Sequence, residues 1–268
     1  MDDWGIGSIS NRTPEQSHPE LVEGSSKPRD QGSRRALPEL TAAQIQKLLA
    51  FRGYGNPNGR FWFVGMEEGG GDPESLQIRA DKFARLEDLA ESHRNFKSHD
   101  MGSLISTWRI MSAIVGRIKG DQDWWDSDYA RNYQKLHLGR LDGETYLTEV
   151  LPLPKRSLKD WPYGNIYPSP NEYRARVFPN QLAALQHEYA VADPMPQFVF
   201  CYGKQYWSLH QSIFNFGTYR SALEGKIHWT SNESTVIILT NFFGYGWTGF
   251  GEDFVNRLCE FALSKAPK

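Results

Sequence analysis

Two glutamates stand side by side at Glu67 and Glu68, and Gly69, Gly70 and Gly71 follow them. Carboxylates next to a glycine-freed backbone give a spot where a ligand can meet both acid groups and bare N–H groups. Adjacent side chains diverge, so these two are not a facing pair by themselves. A third glutamate, Glu149, lies near the end of another apolar run and can meet one of them in space. Two carboxylates across a cleft can bind a metal, activate water or steady a cation-like transition state. The plainer alternative is that each acid pairs with a nearby arginine or caps a helix. That alternative weighs more for Glu68 than for Glu67. The glycine run lacks the lysine of a phosphate-binding loop and the spacing of a dinucleotide fingerprint. A simple turn is therefore at least an equal reading of it.

Further along, Lys155, Arg156 and Lys159 interleave with Trp161 and Tyr163. Cations among aromatics can follow a phosphate backbone and stack bases, and a solvated loop has the same composition. A dense aromatic turn holds Phe242, Phe243, Tyr245, Trp247 and Phe250. The seven histidines are scattered and form no His-Glu-x-x-His pattern, so each reads as surface or structural. Gly-x-Ser-x-Gly is absent, which disfavours a hydrolase nucleophile elbow.

These residues need a scaffold, and the sequence describes one. Residues 61–64 (Phe-Trp-Phe-Val) are fully apolar and read as a buried strand that delivers Glu67 and Glu68 to its end. Three more short apolar runs, at 146–151, 198–203 and 234–240, read the same way. Helical spacing precedes, separates and follows them. Thr41 and Gln44 fit a capping box before Ile45, Leu48 and Leu49, with Gly53 as the stop. Further helices are expected over 104–118, 174–190, 204–216 and 251–263. Residues 73–95 alternate charges, with Arg79, Lys82 and Arg85 among Asp and Glu, and read as a solvated helix face. Residues 121–133 fit either helix or loop.

Strands alternating with helices imply a three-layer α/β sandwich around a central, mostly parallel four-stranded sheet. Ligands in such folds bind beyond the carboxyl ends of the strands. The four strand-end segments, 65–72, 149–156, 202–204 and 241–246, are therefore expected to converge.

With 268 residues, a single domain over 37–268 is expected after a flexible extension over 1–36, which is rich in Ser, Pro, Gly, Glu and Arg. The net charge of −2 provides no global field toward DNA or a membrane, so a nucleic-acid partner needs a local patch. Two cysteines, Cys201 and Cys259, are too few for a four-thiolate metal site. No signal core or membrane-spanning run is evident, and a cytoplasmic monomer is the default expectation.

The order of the strand ends resembles the uracil-DNA glycosylase superfamily. Gly65-Met66-Glu67-Glu68-Gly69 resembles its first motif, the Gly-x-Asn-Pro-Gly or Gly-Glu-x-Pro-Gly turn. Residues 146–154, Tyr-Leu-Thr-Glu-Val-Leu-Pro-Leu-Pro, resemble the strand that ends on Thr-Asn before a proline segment. Phe-Val-Phe-Cys-Tyr-Gly-Lys at 198–204 is similar to the strand leading into Gly-Lys and a helix. Thr240-Asn241-Phe242-Phe243-Gly244-Tyr245-Gly246 stands where the family carries a His-Pro-Ser loop. The resemblance covers about residues 40–265.

It implies a DNA glycosylase-like hydrolase acting on a flipped-out modified or unusual base, without cofactor or metal, on single-stranded or damaged DNA. Glu67 and Asn241 would be catalytic: Glu67 polarises water or steadies the sugar cation, and Asn241 donates to the departing base. Gly65, Met66, Glu68, Gly69, Glu149, Tyr202, Lys204, Phe243 and Tyr245 would bind the base. Glu149 would accept from an exocyclic amine, as suits a cytosine-like edge. Lys155, Arg156 and Lys159 would follow the phosphate backbone. The sequence departs from the family where Glu67 replaces Asn or Asp, Glu68 replaces Pro, Glu149 replaces Asn and Asn241 replaces His. The iron–sulfur cysteines of some branches are missing. Those departures keep open a catalytically silent nucleic-acid binder, and an unrelated α/β enzyme for a small nucleotide or sugar.

Overall fold

The computed structural model describes residues 40–96, 101–155, 161–244 and 249–267. These belong to one unit, Ala36–Lys268. The whole of the expected extension over 1–36, together with Arg156, Lys159, Tyr245 and Trp247, lies outside the described residues.

The protein is α/β, with a central mixed sheet flanked by helices. Its strands are β1 (Gly53–Gly55), β2 (Phe61–Glu67), β3 (Leu86–Glu87), β4 (Thr145–Leu151), β5 (Phe198–Tyr202), β6 (Arg220–Ala222), β7 (Ile227–Ser231) and β8 (Val236–Thr240). The four strands expected from apolar runs are β2, β4, β5 and β8. They lie together in the order β4-β2-β5-β8, all parallel. The expectation of a four-stranded sheet is corrected all the same: the sheet has eight strands in the order β3-β1-β4-β2-β5-β8-β7-β6. β1 joins β4 antiparallel, and the β6–β7 hairpin continues antiparallel from β8. β1, β3 and β6 are only two or three residues long, and β7 mixes Ile227 and Trp229 with polar residues, so no continuous apolar run marks these strands in the sequence.

The central strands read as continuous apolar runs because helices cover both faces. On one face Phe61 stacks on Phe198 and Phe63 on Phe200, with ring centroids 5.6 and 5.7 Å apart. Helices α4 (Ser106–Lys119), α5 (Ser127–Leu136) and α8 (Glu252–Lys265) complete that core. On the other face Trp62, Val64 and Val199 pack with α1 (Ala42–Ala50), α2 (Pro73–Lys82), α6 (Pro170–Val191) and α7 (Trp207–Ile213). A short α3 (Leu89–His93) follows β3. Thr41 and Gln44 form the capping box expected of α1. Asp72 and Ser169 cap α2 and α6.

Gly53 does not stop α1. Phe51 ends that helix, and Gly53 opens β1 at φ +135°. A Cβ there would collide with the Leu147 carbonyl of β4, so glycine is what lets β1 pair. Gly69, by contrast, faces open space without a positive φ. Gly53→Ala is expected to lose about 1–3 kcal/mol in urea unfolding, from backbone strain and the clash. Gly69→Ala is expected to stay within about 0.5 kcal/mol of wild type.

Candidate functional site

The four predicted strand ends line one cleft of about 1210 Å³. Met66, Glu67, Glu68 and Gly69 come from the end of β2, and Glu149, Pro152 and Lys155 from the end of β4. Tyr202 to Tyr206 follow β5, and Asn241 and Phe242 follow β8.

Register explains the arrangement at its floor. Gly65 is opposite Glu149 in the β2–β4 pair. A Cβ on Gly65 would run into the Glu149 carboxylate and the Tyr202 hydroxyl. Gly65 therefore acts by absence, leaving room for two larger neighbours. Tyr202 donates to Glu149 Oε1 at 3.0 Å. Glu149 Oε2 is buried and has no hydrogen-bond partner among the described residues. Burial pushes the Glu149 carboxyl well above the usual carboxylate range; Glu68 and Glu67 add to this, and the Tyr202 hydrogen bond opposes it. The protonated form of Glu149 is thereby favoured over the ionised one. It can donate from its free oxygen, where the sequence reading expected only an acceptor.

Glu67 has a different environment. Its Oε2 lies 2.6 Å from Lys155 Nζ, and both side chains are only 6% exposed. Burial raises the Glu67 pKa, while Lys155 and then Arg174 pull it down. Glu67 is held by a cation but remains a stronger base than a solvated carboxylate.

Glu68 follows the plainer reading. It pairs with Arg79 at 2.5 Å and accepts from the Tyr54 hydroxyl. Arg79 also donates to Tyr54 at 2.8 Å and lies over the Phe83 and Phe96 rings. The solvated-face reading of 73–95 fails at Arg79, which is buried, and holds for Lys82 and Arg85, which are exposed. The missed signal was spacing: Arg79 sits between Leu76, Ala80 and Phe83 on one buried helical stripe.

Lys155 is corrected as well. It is buried, paired with Glu67 and placed over the Trp161 ring at 5.7 Å, so it is not offered to a phosphate backbone. Tyr163 is buried and donates to the Pro154 carbonyl at 2.7 Å. The glycine turn serves this contact. A Cβ on Gly71 would strike Pro154 and Lys155, and the Lys155 N–H donates to the Glu68 carbonyl at 2.9 Å. The Asp72 carboxylate already caps the following helix at Ser75 N, which disfavours an anion there.

Phe243 does not reach a ligand. It is fully buried and stacks on Tyr202 at 4.7 Å, so it supports that ring from behind. Its neighbour Phe242, 53% exposed, lines the cleft instead. Lys204 is exposed at the cleft, beside Tyr206. His210 is buried against the Gly65 backbone, with a pKa lowered by burial to about 4, so it is neutral at pH 7. Cys201 and Cys259 are buried free thiols. Among the described residues no cluster of three or more His, Cys, Asp or Glu could hold a metal ion, and no helix is long and apolar enough to cross a membrane.

Comparison with known proteins adds no relative: no family model matches the chain, and no curated protein matches it in sequence.

The Glu149 environment predicts a pH dependence. An unfolded glutamate titrates near 4.3, whereas the folded chain keeps this proton to higher pH. Above about pH 4.3 the unfolded state binds fewer protons, so stability falls as pH rises until folded Glu149 also ionises. Glu149→Gln removes this loss. In urea unfolding between pH 5 and 8, the variant is expected to gain on wild type by up to about 1.4 kcal/mol per pH unit. A pH-independent difference would contradict the assignment.

Proposed function

We propose that the protein hydrolyses the N-glycosidic bond of a nucleobase held in this cleft, in the setting of a flipped-out modified base in DNA. The observation that carries the reading is the unequal treatment of two carboxylates at one strand-end row. Glu67 is tethered to Lys155, while Glu149 is buried and, among the described residues, has no cation and one oxygen without a hydrogen bond. Environments that separate two acids in this way are how one site holds a base and an acid at the same pH.

The chemistry then balances. Water attacks the anomeric carbon and passes a proton to Glu67 as the C–O bond forms. The carbon–nitrogen bond breaks, and its electron pair leaves on the base. Neutral Glu149 donates its hydrogen bond or proton to that base, and Asn241 supplies a second donor from the end of β8. Ionised Glu67 also steadies positive charge on the sugar ring. Tyr202 and Phe242 offer aromatic surface for the base. The likeness of Gly65-Met66-Glu67-Glu68-Gly69 and its companion segments to uracil-DNA glycosylase motifs supports the same reading.

One observation favours a second setting for the same chemistry. Arg52, Arg79 and Lys155, all lining the cleft, are each ion-paired, which weakens them as phosphate contacts. A free nucleoside needs none of them.

The test incubates the protein with oligonucleotides carrying varied modified bases, and separately with the matching nucleosides. Alkali-labile strand breaks and free base are the readouts. Release from oligonucleotides places the reaction on DNA, and release from nucleosides alone selects the second setting. Glu67→Gln is expected to reduce release by about 10²–10⁴-fold. Release that is unchanged in Glu67→Gln, or absent from every substrate, would overturn the proposal.

A further inference from the structure

The cleft is larger than one base requires. Small-molecule sites commonly enclose roughly 300–1,000 Å³, and this one holds about 1210 Å³. Its lining runs from Gly53 and Tyr54 on β1 to Asn241 beyond β8. Five neighbouring strands, β1, β4, β2, β5 and β8, lie under that run. At about 4.8 Å per strand they span about 19 Å.

The two ends differ in chemistry. Glu67, Lys155, Lys204 and Asn241 line the end near β2, β5 and β8. At the β1 end the lining is Tyr54, His93, Phe96, Trp108 and Met111. These rings form one wall: His93 is 5.0 Å from Trp108, 5.4 Å from Phe96 and 6.0 Å from Tyr54 between ring centroids. Several of their polar atoms are engaged elsewhere. The Tyr54 hydroxyl bonds Glu68 and Arg79, and His93 Nδ1 sits 2.8 Å from the Leu89 carbonyl. Mostly carbon surface remains to meet a ligand. The Glu68–Arg79 pair meets this wall at the Tyr54 hydroxyl.

Building on the proposed N-glycosidic reaction, we infer that the aromatic arm receives a large apolar or aromatic substituent carried by the base itself, so that the substrates are bulky base adducts. Charge argues for a substituent over a second nucleotide. The arginines at that end, Arg79 and Arg52, are buried in pairs with Glu68 and Glu188. A phosphodiester entering the arm would meet Glu68, and among the described residues the arginines there are already paired. A neutral hydrocarbon group meets ring faces and gains from leaving water.

Calorimetric binding tests this without requiring turnover. The probes are adenine against N6-benzyladenine, cytosine against N4-benzylcytosine, and a dinucleoside monophosphate. At least one benzylated base is expected to bind the wild-type protein tenfold or more tightly than its parent. Thr107→Trp fills the arm from a half-buried position beside Trp108. That variant is expected to lose the preference and keep its affinity for the parent base. Equal affinity for parent and benzylated bases overturns the arm assignment and leaves the base-hydrolase reading standing. A dinucleoside that matches or exceeds the benzylated bases also overturns it, in favour of a flanking nucleotide. Failure of every probe to bind overturns both. The wild-type comparison decides the matter even if Thr107→Trp does not fold.

Discussion

Three glutamates crowd the carboxyl ends of the parallel central strands, and among the described residues two of them have a bonded cation. Lys155 takes Glu67 and Arg79 takes Glu68. Glu149 is left with a tyrosine hydroxyl and two negative neighbours in a buried setting. The cheapest response to that crowding is for Glu149 to keep its proton. The chemistry proposed for the cleft follows from that shortage of positive charge. It separates an acid from a base through the unequal partners of two carboxylates. Breaking either pair would leave a buried charge uncompensated, so the cations belong to the site as fully as the acids do.

The scaffold makes the crowding possible. β2 is flanked by β4 and β5 in parallel register, and its aromatic side chains stack across the sheet. Such packing fixes the strand ends closely enough for small differences in environment to persist. Gly65 gives the Glu149 carboxylate its place, and Gly71 lets the Lys155 segment lie against the end of β2. Phe243 backs Tyr202, which in turn orients Glu149. The cleft's acids are held by other groups that line it: Lys155 for Glu67, Arg79 for Glu68 and Tyr202 for Glu149.

Much of this was legible in the sequence because its signals are local. Apolar runs announced β2, β4, β5 and β8, and the alternation with helices announced that their ends would meet. Thr41 with Gln44 announced the start of α1. What stayed hidden depends on partners far along the chain. Arg79 resembled its charged neighbours until Glu68 and Tyr54 were brought beside it. Lys155 resembled a nucleic-acid contact until Glu67 claimed it. The β6–β7 hairpin carries no Asn-Gly turn; Leu223 and Glu224 share the positive-φ positions with Gly225, a choice that local preference disfavours at the first two. Gly53 had the look of a helix stop because nothing nearby in sequence reveals the Leu147 carbonyl it must clear. Phe242 and Phe243 are adjacent and alike, and only tertiary packing decides which faces the cleft.

The central claim is that Glu149 carries a proton at neutral pH while Glu67, on the same cleft, does not. Infrared difference spectroscopy reads this directly, by comparing wild type with Glu149→Gln and with Glu67→Gln at pH 7. Loss of a protonated carboxylic C=O band in Glu149→Gln, with loss of only carboxylate bands in Glu67→Gln, is the predicted result. A carboxylate signature for Glu149, or a protonated band belonging to Glu67, would contradict the account.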